Sequence, residues 1–312
     1  MARTDISVVI AVEDRVDALP TMLSYLEGQR MPASRYEVVI APYRAHRAVA
    51  SLVARYAAGA PMPVRCAGGD ATTEVAAKNL GAQAAEGVWL LFLDQDLVAS
   101  RTLVAAHVRK QSACGGQAIL LGNATPHETL PHGALTRWFM RHDKLFMNPE
   151  QIELPLNWTS RHCSLSRRLF LESGGFDAGI ESSRAADLEL AWRMRSWDTP
   201  TGIVTHGEAF IWRAARFREE RRRFMIEGRD LYRLSARLSA PEIIRHFRLS
   251  CSRMRHWYED QFTPFYARAF ERIELDMRLH GQSCRRIFTH DMRCGARAAA
   301  QEMPCEITAD VE

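Results

Sequence analysis

One apolar run limits the folds open to this chain more than any other feature. Val88 to Leu93 (VWLLFL) offers no polar residue to water on either side of an extended strand. Such a run is typical of a central strand that is covered on both faces. It ends in Asp94, Gln95 and Asp96. Because open α/β sheets bind their ligands at the carboxyl edge, the run predicts a site at this strand end.

The two carboxylates, two residues apart, suggest what this site binds. They repel each other unless a cation lies between them, and their hard oxygens favour Mg²⁺ or Mn²⁺. A hard cation that keeps water ligands usually binds a phosphate as well, so the pattern points to a metal–diphosphate complex. The alternative is a solvated turn, since two acids at this spacing are common on surfaces.

Strand and helix patterns alternate on both sides of the run. This alternation predicts an α/β fold with a mostly parallel sheet and helices on both of its faces. Asp14 and Asp70 are candidate helix caps. Residues 122–157 are predicted to form a long loop with one short helix near 134–146. The chain after 212 is predicted to be helical. The predicted strands are 6–12, 37–41, 63–66, 88–93, 117–121 and 202–212, and the predicted helices are 16–26, 48–56, 71–85, 101–113 and 184–197.

Composition limits the partners and the compartment. With 47% hydrophobic and 25% charged residues the chain is globular, and its net charge of +4 calls for no polyanionic partner such as nucleic acid. Seven scattered cysteines without a C-x-x-C spacing indicate neither zinc nor a disulfide framework. We therefore expect a cytoplasmic protein, and leave open peripheral contact with the inner face of the membrane through basic helices such as Arg213–Arg223.

Five short motifs occur in a fixed order, and together they resemble the family-2 glycosyltransferases of the GT-A (Rossmann-like) fold. The resemblance covers about residues 5–212. It implies a nucleotide-sugar-binding half (1–97), an acceptor-binding half (98–212) and a helical C-terminal extension (213–312). The motifs are Ser7-Val8-Val9-Ile10, Ala77-Lys78-Asn79-Leu80-Gly81, Leu91-Phe92-Leu93-Asp94-Gln95-Asp96, Gly174-Gly175-Phe176-Asp177 and Asp187-Leu188-Glu189-Leu190.

The resemblance also implies an activity: metal-assisted transfer of a sugar from a nucleoside diphosphate sugar to an acceptor hydroxyl, with inversion, in polysaccharide or glycoconjugate biosynthesis. A UDP-sugar is the favoured donor. Asp96 and His206 would bind Mn²⁺ or Mg²⁺, and Asp94 would reach the ribose or the metal shell. The residues expected on the donor are Ala11, Glu13, Tyr43, Lys78, Asn79, Asp94 and Gln95.

On the acceptor side the resemblance makes Asp187 the catalytic base, with Glu189 as the alternative carboxylate. An inverting transfer needs one carboxylate to take the proton of the attacking hydroxyl. The alternative for Asp187 is a favourable charge at a helix amino terminus. Trp158 and His162 are expected to face the acceptor and the sugar, although Trp158 could equally be a core residue. Glycines 174 and 175 are expected to form a tight turn that Asp177 holds, with Phe176 in the core.

Departures from the family pattern leave a second function open for this chain. Pro42-Tyr43 stands where paired acids usually meet the nucleotide, although Tyr43 could stack on the base instead. Ala186 replaces the first acid of a Glu-Asp pair. These changes motivate the alternative of a GT-A-fold protein that binds a nucleotide or carbohydrate without turnover. The acceptor remains open, as does a homodimer through the C-terminal helices.

Overall fold

The computed structural model describes residues 4–13, 16–44, 46–130, 135–136, 138, 156, 158–197, 199–213, 216–272 and 280–302. The chain divides into two compact units. The first comprises Met1–Leu130, Asp143–Gly179 and Ala186–Arg213, and the second comprises Pro131–His142, Ile180–Ala185 and Ala214–Glu312. The expected division of the first 212 residues into donor and acceptor halves stays a prediction.

The first unit is built on an eight-stranded mixed sheet. Its order is β3-β2-β1-β4-β7-β6-β8-β5. Four pairs are parallel: β1 with β2, β1 with β4, β2 with β3, and β6 with β8. Strand β7 lies between β4 and β6 and is antiparallel to both, and β5 is antiparallel to β8. The strands are β1 (Ile6–Val12), β2 (Tyr36–Pro42), β3 (Val64–Cys66), β4 (Trp89–Leu93), β5 (Leu97–Ala99), β6 (Ile119–Pro126), β7 (His162–Ser166) and β8 (Thr201–Ile211).

Helices cover both faces of this sheet, as predicted. Side chains of a strand alternate between faces. In β1, Ile6, Val8, Ile10 and Val12 belong to a buried cluster with apolar residues of α1 and α2. On the other face α3 packs so closely that a Cβ on Gly81 would lie 2.4 Å from Val9 Cγ1. The helices of this unit are α1 (Leu19–Glu27), α2 (His46–Ala57), α3 (Glu74–Ala84), α4 (Leu103–Ala113), α5 (Arg167–Glu172) and most of α6 (Ser183–Met194).

Two predicted helix caps are wrong. The cap position of α1 is Ala18, so the helix begins later than Asp14 would place it. Helix α3 is capped by Thr73, whose hydroxyl accepts from the Ala76 N–H at 3.2 Å, and not by Asp70. The helices begin at Leu19 and Glu74 and not at the predicted positions 16 and 71, since a sequence pattern does not define the exact end of a helix.

Strand β8 is irregular in a way that matters for the site. Gly122 is in register with Val204 and Ala124 with Ala209, so β8 spans five residues where β6 spans two. The three additional residues form a bulge within Thr205–Glu208. His206 lies in it with a left-handed φ of +63°. The strand continues through this bulge to Ile211, close to its predicted end at 212.

The second unit contains α7 (Phe217–Arg237), α8 (Pro241–Phe247), α9 (Arg253–Arg272) and α10 (His280–Glu302). Helices α7 and α10 approach backbone to backbone. A Cβ on Gly228 would lie 1.9 Å from Met292 O, and one on Gly295 would lie 1.9 Å from Met225 O. Trp138, Phe224 and Phe288 pack beside this contact, with the rings of Phe224 and Phe288 at 4.6 Å.

The arginine-rich segment of α7 forms ion pairs within the protein. Arg221 donates to both carboxylate oxygens of Asp291 at 2.9 Å, and Arg223 pairs with Glu220 at 2.7 Å. These pairs leave less free positive charge than the sequence suggests, which weakens the reading of this segment as a polyanion-binding surface. No helix among the described residues has the length and apolar character to span a bilayer. Most of the helix expected near 134–146 lies outside the described residues.

Candidate functional site

Three parallel strands deliver their carboxyl ends to one edge of the first unit. Strand β1 leads to Glu13, β2 to Tyr43, and β4 to Asp94, Gln95 and Asp96. Because β7 is antiparallel to β4, its amino end meets the same edge, with Leu93 in register with His162. The predicted site residues of β1, β2 and β4 therefore lie together, beside a segment from β7.

Asp94 is held by the residue that precedes β7. Its backbone N–H donates to Arg161 O at 2.8 Å, and its Oδ2 accepts from Arg161 Nε at 2.6 Å. Burial opposes ionisation of this carboxyl, but the charges of Arg161 and Lys78 outweigh it and hold the pKa of Asp94 below its usual value. Asp94 is thus an anion with a fixed partner, which makes it a poor candidate for direct metal ligation.

Lys78 is a buried ammonium that joins the acids of the site. Its Nζ lies 2.5 Å from Glu74 Oε1 and donates to Ser160 Oγ at 2.9 Å. Burial favours the neutral amine, but Glu74 and Asp187 outweigh it and raise the pKa of Lys78. Asp187 Oδ2 in turn accepts the Ser160 N–H at 2.9 Å. The predicted donor-side cation and the predicted base are thus parts of one charge cluster.

Asp187 lies deeper in this cluster than the predicted role suggests. It is 2% exposed, and it is the fifth residue of α6, whose first turn contains no acid. The alternative of a charge at the helix amino terminus is therefore wrong. The structure instead connects Asp187 to Ser160 and, through space, to Lys78.

Asp96 is the more accessible acid of the pair. Its side chain is 35% exposed, against 18% for Asp94. Its Oδ1 lies 3.9 Å from Arg213 Nε, which is beyond hydrogen-bond range. Arg213 Nη1 is buried and has no hydrogen-bond partner among the described residues. A cation with unused donor capacity therefore lies next to the exposed acid.

His206 lies in β8 away from the residues in register with β5, so its role as a second metal ligand stays a prediction without support from the geometry of the strand. It lies in the β8 bulge, where its backbone O accepts from Thr102 Oγ1 at 2.7 Å. Ile211, five residues further along β8, is the residue in register with Leu97, so several residues of β8 separate His206 from the position opposite Asp96. Within the described residues, no cluster of three His, Cys, Asp or Glu ligand atoms includes Asp96 or His206.

The glycine turn has its expected form. Gly174 and Gly175 both adopt left-handed φ, at +84° and +70°. Phe176 is buried, and Asp177 Oδ1 accepts from the Gly179 N–H at 2.9 Å. The turn thus matches the prediction of a structural motif.

Two predicted ligand-binding residues instead hold this turn. Asn79 donates to Phe176 O at 2.8 Å and accepts from Phe176 N at 2.9 Å, so its amide is bound to the turn rather than presented to a donor. Glu189 is buried and pairs with Arg193 at 2.7 Å, and Arg193 donates to Gly175 O at 2.6 Å. Glu189 therefore positions the turn through Arg193, which makes it a poor alternative base.

Trp158 and His162 are core residues, which corrects the prediction that they face the sugar. Trp158 is 1% exposed, stacks on Phe176 with ring centroids 6.1 Å apart, and donates Nε1–H to Cys163 Sγ at 3.2 Å. His162 is fully buried within β7. Neither side chain offers surface to a pyranose ring, and for Trp158 the core alternative is the right one.

His162 belongs to a chain of four buried polar side chains behind the site. Its Nδ1 lies 3.1 Å from Asn123 O, and its Nε2 lies 3.0 Å from His107 Nε2. His107 Nδ1 lies 2.8 Å from Ser164 Oγ, which also accepts from Gln111 Nε2. Burial lowers the pKa of His162 to about 4 and that of His107 well below its usual value.

With both rings neutral, the partners fix the direction of every bond in this chain. Asn123 O can only accept, so His162 carries its proton on Nδ1 and accepts at Nε2. His107 must then donate from Nε2 and accept at Nδ1 from the Ser164 hydroxyl. Protonation of His162 would place two N–H donors face to face at the two Nε2 atoms, and protonation of His107 would turn the Ser164 hydroxyl from donor to acceptor, so this arrangement holds only while both histidines are neutral.

The remaining donor-side predictions fall at the ends of β1 and β2. Gln95 Oε1 accepts the Glu13 N–H at 3.2 Å, and the Glu13 carboxylate pairs with Arg44. Tyr43 is 7% exposed, and burial together with Glu74 and Glu13 raises its pKa well above the usual value. Ala11 lies inside β1, in register with Ala41. Glu13 and Gln95 are the more accessible of these groups, whereas Tyr43 has little free ring surface for stacking.

The sequence reading assigned no role to four residues that complete the site: Arg161, Ser160, Glu74 and Arg213. Glu74 carries a detectable signal, because it lies four residues before Lys78 on α3 and such pairs share a helix face. Arg161 and Ser160 reach Asp94 and Asp187 only because β7 is antiparallel to β4. Arg213 reaches Asp96 only because β8 continues past its bulge. Neither of these two arrangements has a local sequence signal.

Comparisons with known proteins agree with this architecture at the level of the fold. No family model and no curated protein matches the sequence. The fold is similar to that of S. aureus TarS 1-349 in complex with UDP-GlcNAc (11% identity, TM-score 0.53, covering 97% of this chain and 93% of that chain). It is also similar to the mannosyltransferase PcManGT from Pyrobaculum calidifontis in complex with GDP-Man and Mn2+ (12% identity, TM-score 0.59, covering 97% and 89%).

These similarities cover nearly the whole chain at low identity, so they establish the shared fold. The predicted mixed, mostly parallel α/β sheet of the GT-A type is confirmed, and with it the resemblance at the level of the fold. The roles of individual residues rest on the geometry described above.

Proposed function

We propose that this protein is a glycosyltransferase that moves a sugar from a nucleoside diphosphate sugar to an acceptor hydroxyl. One observation carries the proposal: Asp94 and Asp96 end a central strand among three cationic side chains, Lys78, Arg161 and Arg213. A diphosphate leaving group needs fixed positive charge as the glycosidic bond breaks. The structural neighbours, with bound UDP-GlcNAc in one case and GDP-Man in the other, support a nucleotide-sugar ligand.

The residues at this edge fit one divalent cation, held by Asp96. Its carboxylate is the more exposed of the two acids, and Mg²⁺-like cations are often held by one or two carboxylates with substrate phosphates and water. Asp94 does not fit as a second ligand, because Arg161 holds its Oδ2. The bound cation, Mn²⁺ or Mg²⁺, would neutralise charge on the diphosphate. Arg213 would donate to the same group from its unused Nη1.

Asp187 remains our proposed base for an inverting transfer, in which a single displacement needs one carboxylate at the acceptor oxygen. Its hydrogen bond from Ser160 fixes the carboxylate's orientation, and Lys78 nearby favours the ionised form. Asp187→Asn should abolish transfer and retain donor binding. Full turnover by this variant would refute the assignment, and the anomeric configuration of the product, read by NMR, tests inversion.

A binding assay with donor candidates tests the proposed donor site. UDP-GlcNAc, other UDP-sugars and GDP-Man are titrated by calorimetry with and without Mn²⁺, using the native chain, Asp96→Asn and Arg213→Gln. We expect both variants to bind at least tenfold more weakly, and Asp96→Asn to lose the effect of Mn²⁺. Glu172→Gln, a change at an exposed acid of α5 that pairs with Arg168, serves as the control. Equal binding by all four proteins would contradict the proposal.

One observation favours the second candidate, a protein that binds a nucleotide sugar without transferring it. Asp187 is 2% exposed and is bound to Ser160, as expected of a carboxylate that only stabilises the fold. A single measurement distinguishes the two functions. Donor binding without hydrolysis or transfer, over a panel of hydroxyl acceptors, would favour the binding protein, whereas release of the nucleoside diphosphate would exclude it.

A further inference from the structure

A second cluster of reactive side chains lies in the helices of the other unit. Cys294 and His290 are four residues apart on α10 and share a face of that helix. Cys294 Sγ lies 3.6 Å from His290 Nε2 and 3.3 Å from Arg297 Nη2. The thiol is neither deeply buried nor fully exposed. One sulfur atom therefore has two cationic groups within reach and remains accessible to a small molecule.

An acid from the neighbouring helix fixes both cations in place. Asp260 of α9 accepts from His290 Nε2 at 3.0 Å and from both terminal nitrogens of Arg297, at 2.8 and 2.7 Å. This arrangement orients the guanidinium and the ring toward the sulfur. Because Asp260 takes His290 Nε2, the imidazole acts as a fixed charge beside the sulfur rather than as a base that shuttles the thiol proton.

The other charges around the cluster are accounted for. Asp291 lies 3.8 Å from His290 Nδ1 and is paired with Arg221 of α7. Arg293 of α10 is paired with Glu259 of α9, and His256 and Cys251 lie on the α9 side. Hydrogen bonds that His290 donates to Asp291, Cys294 and Asp260 outweigh burial and raise the pKa of His290 to about 10. Burial opposes ionisation of Cys294, but His290 and Arg297 outweigh it and lower its pKa.

Four of the other described cysteines provide a contrast within the same chain. Burial raises the pKa of Cys66 and Cys251, and raises those of Cys163 and Cys284 to about 12. Cys251 is the most useful comparison, because it also lies in the second unit, near Arg293 and Arg297. Nearby arginines are therefore not sufficient to lower the pKa of a thiol. The contacts of its sulfur with His290 and Arg297 distinguish Cys294 from Cys251.

We propose that Cys294 is a modification site of this protein whose sulfur, held between His290 and Arg297, reacts as a thiolate with low-molecular-weight disulfides. The Cys294 sulfur attacks one sulfur of the disulfide, a new S–S bond forms as the old one breaks, and the other half leaves as a thiolate that takes a proton from water. The disulfide is the oxidant, so the step balances without another reagent. A divalent cation fits the same groups less well, because Arg297 already pairs with Asp260.

Alkylation of the full-length chain over a pH series tests the proposal. Iodoacetamide is added at pH 5 to 10, and mass spectrometry reports the rate at each cysteine. We expect half-maximal reactivity of Cys294 below the ordinary thiol value of about 8.5, and labelling at pH 7 at least tenfold faster than at Cys251. Oxidised glutathione should form a mixed disulfide at Cys294 before the other cysteines.

Variants separate the proposed cause from general accessibility. His290→Gln should move the midpoint of Cys294 labelling to higher pH, whereas Cys251→Ser should leave it in place. A Cys294 that reacts no faster than Cys251, or has an ordinary midpoint, would overturn the proposal. The pH series on the native chain decides the matter even where His290→Gln fails to fold.

Discussion

At the scale of single residues, the pair formed by Asp94 and Arg161 should contribute strongly to stability. Their side chains are 18% and 19% exposed and lie 2.6 Å apart, and removing one member of a largely buried pair leaves the other without compensation. We expect Arg161→Met to lower the free energy of unfolding by about 3 kcal/mol. Denaturant titration measures the change.

The control for this variant is Arg168→Met. Arg168 pairs with Glu172 at 3.4 Å, but both side chains are mostly exposed, and such pairs contribute little. The substitution Arg168→Met should leave the midpoint of denaturant unfolding nearly unchanged. Equal effects of the two substitutions would show that the Asp94–Arg161 contact is no more than a surface ion pair.

The buried histidines predict a specific dependence of stability on pH. The pKa of His162 falls from its ordinary value of 6.5 to about 4 on folding, so between these values the unfolded chain binds more protons. Stability is therefore fully present above about pH 6.5 and is lost as the pH falls toward 4, by on the order of 3 kcal/mol for this ring alone. His107 adds to the loss in the same direction.

The test is the unfolding free energy between pH 8 and pH 4, measured for the native chain and for His107→Gln. The variant removes one titrating ring and keeps a neutral donor, so its curve should be flatter. The exposed His206→Asn is the control and should keep the native slope. A native curve with no slope between pH 6.5 and 4 would contradict the neutral-ring network.

At the scale of elements, the closest contact in the second unit is the crossing of α7 and α10. A Cβ on Gly228 would lie 1.9 Å from the Met292 carbonyl oxygen, so an alanine there must push the helices apart. We expect Gly228→Ala to cost about 2 kcal/mol or more, as overpacked sites do. Gly59→Ala is the control, since nothing lies within 4 Å of its Cβ position. If Gly228→Ala raised the free energy of unfolding instead, as expected from the higher helix propensity of alanine, the contact would be looser than described.

The helices and strands also show which features of the fold the sequence does not predict. Strands β1, β2 and β4 are predictable because each is a continuous apolar run, and the register of parallel strands then brings their ends together. The bulge in β8 is not predictable, since Thr205–Glu208 has no distinctive composition. Its consequence is specific: His206 lies within the strand instead of at its end, and Trp212 and Arg213 follow the end of the strand at Ile211.

At the scale of the whole molecule, the sequence predicted the fold and the position of the site better than the roles of the side chains around it. The alternation of strands and helices determines the layers, and the polar end of a buried strand marks the edge where ligands bind. The burial of Trp158, His162 and Glu189, and the bond from Asn79 to the glycine turn, depend on how β7 and α6 pack, which no local pattern encodes. Aromatic and amide side chains near a site are equally suited to packing and to binding.

The most direct test of the central claim is calorimetric titration of nucleoside diphosphate sugars into the native chain and into Asp96→Asn, each with and without Mn²⁺. We predict that the native chain binds at least one donor, that Mn²⁺ tightens this binding, and that Asp96→Asn loses the metal-dependent part while remaining folded. Absence of binding by the native chain to every UDP- and GDP-sugar tested, with Mn²⁺ present, would contradict the account.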